Sequence, residues 1–157
     1  MEYRKAKITD VEPIHALITY YADRGLMLAR PRTLLYESLR EFTVAVEQDR
    51  VVGVGSLHII WEDLAEIRAL AVAPEYAGKG VGRGLVKNFI SEARELAIPR
   101  VFALTYQDGF FEKCGFKVID KDSLPQKVWK ECVNCPKFPN CEEIAVIIDS
   151  GVPAPIC

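Results

Sequence analysis

The stretch "IRALAVAPEYAGKGVGRGLVKNFI", residues 67–90, joins a β-rich run to a helix-like pattern through a turn with four glycines. The N–H groups of a first helical turn have no intrahelical partners and carry partial positive charge, so such a turn is typical of a phosphate site. Neither the dinucleotide fingerprint G-x-G-x-x-G nor the P-loop pattern G-x-x-x-x-G-K-[ST] fits the glycine spacing. The sequence therefore predicts a phosphate-binding turn of another type.

The segments around this turn predict a mixed α+β domain. "FTVAVEQDRVVGVGSLHIIW" places two β-rich runs around a Gln-Asp-Arg turn, which is typical of an antiparallel hairpin, and "LAEIRALAV" is a third run. If that run is a regular strand, alternate residues from Glu66 to Val72 share one face. Thr9 or Asp10 can cap the first helix and Thr33 a short second one. The length of 157 residues favours a single domain over residues 1–157.

The composition indicates a soluble globular protein, with 50% hydrophobic and 27% charged residues. The net charge of −2 and the absence of a basic stripe give no reason to expect a nucleic-acid partner. The apolar runs are much shorter than the roughly 20 residues of a membrane-spanning helix, and "MEYRKAKITD" lacks the apolar core of a signal peptide. We therefore expect a cytoplasmic protein with no membrane partner.

The glycine turn resembles the acetyl-CoA motif of the GCN5-related N-acetyltransferases, R/Q-x-x-G-x-G/A, with Ala77 in place of the usual Arg or Gln. The resemblance implies that family's fold, a mixed, mostly antiparallel central sheet flanked by helices. It also implies acetyl-CoA as co-substrate, with pyrophosphate on the loop and pantetheine along the preceding strand. The implied cofactor-binding residues are Leu70, Ala71, Val72, Ala77, Gly78, Lys79, Gly80, Val81, Gly82 and Arg83.

The segments "EIRALAVAPEY", "ALTYQDGFFEKCGF" and "SLPQKVW" resemble the acetyltransferase domain of N-acetylglutamate synthases. Phe111 occupies the place of a tyrosine that many family members use to protonate the CoA thiolate, as this subfamily's pattern allows. The chain is too short for the amino-acid-kinase-like domain of many synthases, so the resemblance is to a free-standing form. It implies transfer of acetyl to the α-amine of L-glutamate, the first step of arginine biosynthesis, by direct attack in a ternary complex.

Two residues are candidates for the proton transfers of this reaction. Glu66 matches the proposed general base of the synthases, although an ordinary solvated strand glutamate is the alternative. A carboxylate is a weak base, so this role requires burial or a relaying water. Tyr106, near the end of the next strand, can protonate the thiolate or serve as a packing aromatic. The backbone N–H near Leu70 is the candidate for stabilising the oxyanion.

Three arginines are candidates for the two carboxylates of glutamate, because the guanidinium fork matches carboxylate geometry. Arg30 and Arg32 lie in "LARPRTLLY", a segment that walls the acceptor site in this fold and resembles the synthases' segment at this point. Arg68 is two residues after Glu66 on the same strand. Each of them can alternatively be a surface charge.

Three of the five cysteines, Cys132, Cys135 and Cys141, form a C-x2-C-x5-C pattern. The first pair has zinc-ligand spacing, so a structural zinc is one interpretation; a disulfide or redox pair and plain thiols are the others. No fourth ligand is at an obvious spacing.

Two further classes of function stay open at this stage. One is the same chemistry on another small amine or a protein N-terminus. The other is a non-catalytic acyl-CoA-binding or thiol/metal-sensing module, which Phe111 and the cysteine cluster allow. A homodimer is compatible with the resemblance, but no segment identifies an interface.

Overall fold

The computed structural model of the protein describes residues 1–125, 128 and 143–152. Within these residues the helices and strands, in chain order, are β1 (Glu2–Lys5), α1 (Val11–Ala22), α2 (Arg32–Glu37), β2 (Phe42–Glu47), β3 (Arg50–Trp61), β4 (Leu64–Val72), α3 (Val81–Glu95), β5 (Arg100–Thr105), α4 (Asp108–Lys113), β6 (Lys117–Ile119) and β7 (Ile144–Asp149). No helix in this described part of the chain is long and apolar enough to cross a membrane.

The seven strands form one mixed sheet in the order β1-β2-β3-β4-β5-β7-β6. The pairs β1–β2, β2–β3, β5–β7 and β6–β7 are antiparallel, whereas β4 and β5 are parallel. The predicted hairpin is confirmed at β2–β3. Gln48 and Asp49 in its turn both have positive φ, 50° and 62°, the conformation that matches a tight turn to the twist of two strands.

The chain divides into two compact units, one of residues 1–58 and 67–89 and one of residues 59–66 and 90–157. The first unit has a core in which α1 and α2 contribute Val11, Ile14, Ile18 and Leu35, packed with residues of β2, β3 and β4. The second has a core of Leu64, Phe102, Leu124, Val128, Ala145 and Ile147. The single domain over residues 1–157 stays a prediction.

Close approach of α3 to the hairpin depends on two glycines of β3 in the first unit. A Cβ at Gly53 would lie 2.8 Å from Val81 Cγ1, and one at Gly55 would lie 2.8 Å from the Phe89 ring. These distances are shorter than real contacts, so only glycine lets the helix sit this close to the strand. The position of α3 matters because its first turn follows the glycine loop.

Several local expectations need correction. Asp10 precedes α1 but makes no side-chain capping bond to it, and α2 is preceded by Pro31, so Thr33 lies inside that helix. The carboxylate of Asp10 instead accepts the backbone N–H of Lys7 at 2.7 Å and is held by Arg4. A tertiary ion pair thus uses the side chain that the local pattern assigned to a cap. The helix expected over "SLPQKVWKEC" lies mostly outside the described residues.

We expect Asp10→Asn to destabilise the protein by about 2 kcal/mol at neutral pH, because Asp10 is buried and makes charge-assisted bonds to Arg4 at 2.7 and 3.2 Å. Burial alone would raise the Asp10 pKa, but the hydrogen bonds from Arg4 and Lys7 outweigh it and lower the pKa. The stabilisation is therefore full above the ordinary aspartate pKa of about 4 and is lost as pH falls through the lower folded value. Urea unfolding at pH 7 and pH 3 measures it, with exposed Asp23→Asn as control. If the parent and Asp10→Asn differed in unfolding free energy as much at pH 3 as at pH 7, the prediction would be contradicted.

Candidate active site

A kink interrupts β4, the strand that carries the candidates Glu66 and Arg68. Ala69 has φ of +54°, in the left-handed region that a non-glycine residue adopts at a cost of about 1 kcal/mol or more. The buried Ser56 hydroxyl donates to the Arg68 carbonyl at 3.2 Å and holds the backbone just before the kink. Such a residue breaks the side-chain alternation, as in a β-bulge. Because β4 is not a regular strand, simple alternation along the sequence does not place Glu66 and Arg68 on the same face as Leu70 and Val72.

The glycine turn leads into the first turn of α3, whose N–H groups have no partner within the helix. Gly78 and Gly80 have φ of +75° and +84°, and nothing lies within 4 Å of where a Cβ would be. The Gly84 N–H donates to the Gly80 carbonyl, which makes Gly80 the N-cap residue just before α3. Lys79 and Arg83 flank this turn and are exposed. Open space, an aligned helix dipole and two cations fit a pyrophosphate.

The fourth glycine of the turn has a different role. A Cβ at Gly84 would overlap the Tyr3 hydroxyl and Cζ, with Cε1 at 2.8 Å. Gly84 therefore lets α3 pack against Tyr3 of β1, because a larger residue would have to displace the tyrosine ring. Sequence spacing alone does not separate this glycine from its neighbours.

Replacing Gly80 with alanine should weaken CoA binding about tenfold. Alanine must hold the left-handed conformation at a cost of about 1–2 kcal/mol, or the turn must relax and misalign the first N–H groups of α3. Isothermal titration with CoA measures the change. The matched control is Gly109→Ala, since Gly109 is equally open but does not have a left-handed φ. Equal affinities for the two variants would show that the turn conformation does not set CoA binding.

Glu66 is buried, with 6% of its surface exposed. It lies on β4 opposite Phe102 of β5, in the last residue pair of the β4–β5 ladder. Glu66 is therefore not a solvated strand glutamate. Its burial meets the requirement that a carboxylate must satisfy to act as general base. The carboxylate is thus held by a strand, which places it more rigidly than a loop would.

The three candidate arginines differ in their surroundings. Arg32 makes two bonds to Glu12, Nε to Oε2 at 2.8 Å and Nη2 to Oε1 at 2.9 Å, so its fork is occupied by an exposed ion pair. This pairing also raises the Arg32 pKa and lowers that of Glu12 through the hydrogen bond. Arg30 and Arg68 are half-buried, as expected of residues that line a site. Which of the three arginines binds the carboxylates of the acceptor stays a prediction.

The second proton-transfer candidate, Tyr106, is half-buried and follows directly after β5. The next residue is fixed by a bond of 2.7 Å from the Gln107 N–H to Thr105 Oγ1. Phe111 is buried in α4 and makes edge-to-face contacts with Phe110 and Phe116 at 5.1 and 5.0 Å. Phe111 thus packs in the second unit, and Tyr106 stays the candidate acid.

The predicted zinc ligands Cys132, Cys135 and Cys141 lie outside the described residues. Within the part of the chain that is described, no group of three or more histidine, cysteine or acidic side chains could hold a metal ion. Cys114, the residue directly after α4, is half-buried.

Three features around β4 give no signal in the sequence. They are the kink at Ala69, the hydrogen bond from Ser56 to the Arg68 carbonyl, and a hydrogen bond from α1 to the end of the strand. In that bond, the Tyr21 hydroxyl donates to the Val72 carbonyl at 2.5 Å. A tyrosine within an amphipathic helix gives no sequence signal for such a contact, because its partner is 51 residues away. The contacts around β4 are thus set by tertiary structure.

Comparison with known proteins gives a consistent result. Residues 10–116 match the model of the acetyltransferase (GNAT) family. The chain is 40% identical over 144 residues to an uncharacterized N-acetyltransferase of Chlorobaculum tepidum, covering 92% of this chain and 93% of the relative. It is 39% identical over 131 residues to an amino-acid acetyltransferase of Mycobacterium tuberculosis, covering 82% of this chain and 75% of the relative.

A solved structure extends this similarity to a complex with ligands. N-acetylglutamate synthase from Neisseria gonorrhoeae, complexed with coenzyme A and N-acetyl-glutamate, matches with a TM-score of 0.85 and 28% identity. The match covers 94% of this chain and 34% of the synthase, so the chain spans about a third of that protein.

Proposed function

Because the chain belongs to the acetyltransferase (GNAT) family and is an acetyl-CoA-dependent N-acetyltransferase, we propose that its acceptor is the α-amine of L-glutamate. The observation that carries this proposal is the buried Glu66 on β4, in a chain whose fold matches a synthase complexed with N-acetyl-glutamate. The amino-acid acetyltransferase of M. tuberculosis supports an amino-acid acceptor. The expected family and fold are confirmed; the acceptor is the proposed part.

In the proposed complex the open N–H groups of residues 80–83 hold the CoA pyrophosphate. The kink at Ala69 turns the backbone so that the Leu70 N–H can donate to the thioester carbonyl. A donor aimed at the oxygen that becomes negative in the transition state accelerates the reaction more than one aimed at the ground state. The strained conformation of Ala69 then serves catalysis, because it orients this donor.

The proposed chemistry is one displacement with balanced proton transfers. Glu66 accepts a proton from the ammonium of glutamate, directly or through one water, and the free amine attacks the thioester carbon. The new C–N bond forms, and the nitrogen of the tetrahedral intermediate releases its second proton to solvent, as Glu66 does with the first. The oxyanion then collapses and the C–S bond breaks. The CoA thiolate takes a proton from Tyr106, which is restored from solvent. Arg30 and Arg68 hold the two carboxylates of glutamate and orient its amine.

The test is mass-spectrometric detection of products from acetyl-CoA and a panel of amino acids, polyamines and peptide N-termini. N-acetyl-glutamate in clear excess over every other product is the expected result. Turnover on a different amine would overturn the acceptor and leave the family chemistry intact. No product with any amine, together with tight CoA binding, would favour a non-catalytic acyl-CoA sensor.

The remaining parts of the proposal concern the setting of the enzyme. If glutamate is the acceptor, the reaction opens arginine biosynthesis, for which a cytoplasmic location and a homodimer are further predictions. A zinc ion on Cys132, Cys135 and Cys141 also stays a prediction, which metal analysis of the purified protein and of a Cys135→Ser variant would test.

A further inference from the structure

The bond between α1 and the end of β4 involves the strand that is proposed to bind pantetheine. The Ala73 N–H donates to the Val52 carbonyl of β3 at 2.8 Å, so this N–H points toward β3. The Val72 carbonyl belongs to the same trans peptide group and points the opposite way. It therefore points away from β3, and it accepts the Tyr21 hydroxyl at 2.5 Å.

A carbonyl oxygen has two acceptor positions, and Tyr21 occupies one of them. The second can accept an amide N–H of pantetheine, which carries two amides. Tyr21 is a half-buried residue of α1 that packs against the core of the first unit, and burial raises the pKa of its hydroxyl. The group therefore stays protonated at neutral pH and keeps donating to Val72.

Tyr21 also lies at the start of the segment that leads to Arg30, a proposed ligand of the acceptor. The backbone carbonyl of Tyr21 accepts the N–H groups of Arg24 and Leu26 at 3.1 and 3.0 Å, which closes the turn after α1. The chain then continues to Arg30. One residue thus fixes the carbonyl at the end of the cofactor strand through its side chain and the start of the acceptor segment through its backbone.

We propose that Tyr21 is a positioning residue for acetyl-CoA, which holds the Val72 carbonyl in the orientation that accepts a pantetheine amide and ties the acceptor segment to the cofactor strand. The inference rests on the proposed placement of pantetheine along β4, but not on glutamate as the acceptor. A lost neutral hydrogen bond of this kind corresponds to a change of about fivefold in affinity.

The test is Tyr21→Phe, which removes the hydroxyl and keeps the ring in the core. We expect the Kd for CoA, measured by isothermal titration without any acceptor, to rise about fivefold, and the KM for acetyl-CoA to rise in parallel. The kcat at saturating acetyl-CoA should stay within about twofold, because Tyr21 takes no part in proton transfer. The control Tyr20→Phe changes the neighbouring exposed tyrosine and should leave CoA affinity unchanged.

Two outcomes would overturn the inference. One is a Tyr21→Phe variant that binds CoA as tightly as the parent or more tightly, since the hydroxyl would then be neutral or a competitor for the carbonyl. The other is a large fall in kcat with unchanged CoA affinity, which would make Tyr21 a proton donor. Because CoA binding is measured without acceptor, a failure of the glutamate proposal leaves this test intact.

Discussion

Replacing Glu66 with glutamine should lower kcat about 100-fold or more, because the variant keeps the shape of the side chain and loses the base that accepts the amine proton. CoA affinity should not change, since the glycine turn and the Val72 carbonyl are unaffected. Steady-state kinetics with glutamate, combined with titration of CoA, separates the two effects. The pH dependence adds a second readout: the residual rate of Glu66→Gln should rise with pH, because hydroxide in solution then supplies the free amine.

The control for this variant is Glu62→Gln, an exposed glutamate just after β3. It should keep kcat within about twofold. A rate that falls equally at every pH would assign Glu66 a structural role and contradict the general-base proposal. A rate for Glu66→Gln equal to that of the parent would remove Glu66 from the mechanism altogether.

Replacing Arg68 with alanine should raise the KM for glutamate by about 10- to 100-fold, the range expected when a charge-assisted bond to a carboxylate is lost. The Kd for CoA should stay the same. The KM for glutamate, measured at saturating acetyl-CoA, is the direct readout. With glutamine as acceptor, which lacks one carboxylate, the difference in KM between parent and variant should be smaller.

The matched control is Arg32→Ala. Its guanidinium is occupied by Glu12 and both side chains are more than half exposed, so glutamate KM should change by no more than about twofold. A large effect at Arg32 and none at Arg68 would reverse the assignment. It would mean that the acceptor displaces Glu12 from Arg32 on binding.

The elements that could be predicted from sequence are those whose signal is local. Two β-rich runs around Gln48–Asp49 predict the β2–β3 hairpin, and the glycines at positions 78 and 80 predict the start of α3. In both cases the backbone conformation is a property of the residues themselves. Helix caps are less predictable from sequence, because the Asp10 carboxylate pairs with Arg4 and accepts the Lys7 N–H instead of capping α1.

The amino-acid sequence by itself determined the strand, the glycine turn and the helix that follows it, because period, turn chemistry and helix polarity are all encoded within about 25 residues. The tertiary structure alone decided which charged side chains are buried and which of the described ion pairs form. Burial of Glu66, pairing of Arg32 with Glu12 and the bond from Tyr21 to Val72 join residues that are far apart in sequence or depend on neighbouring strands. Such contacts follow from how elements pack, and a pattern within one segment carries no information about the partner.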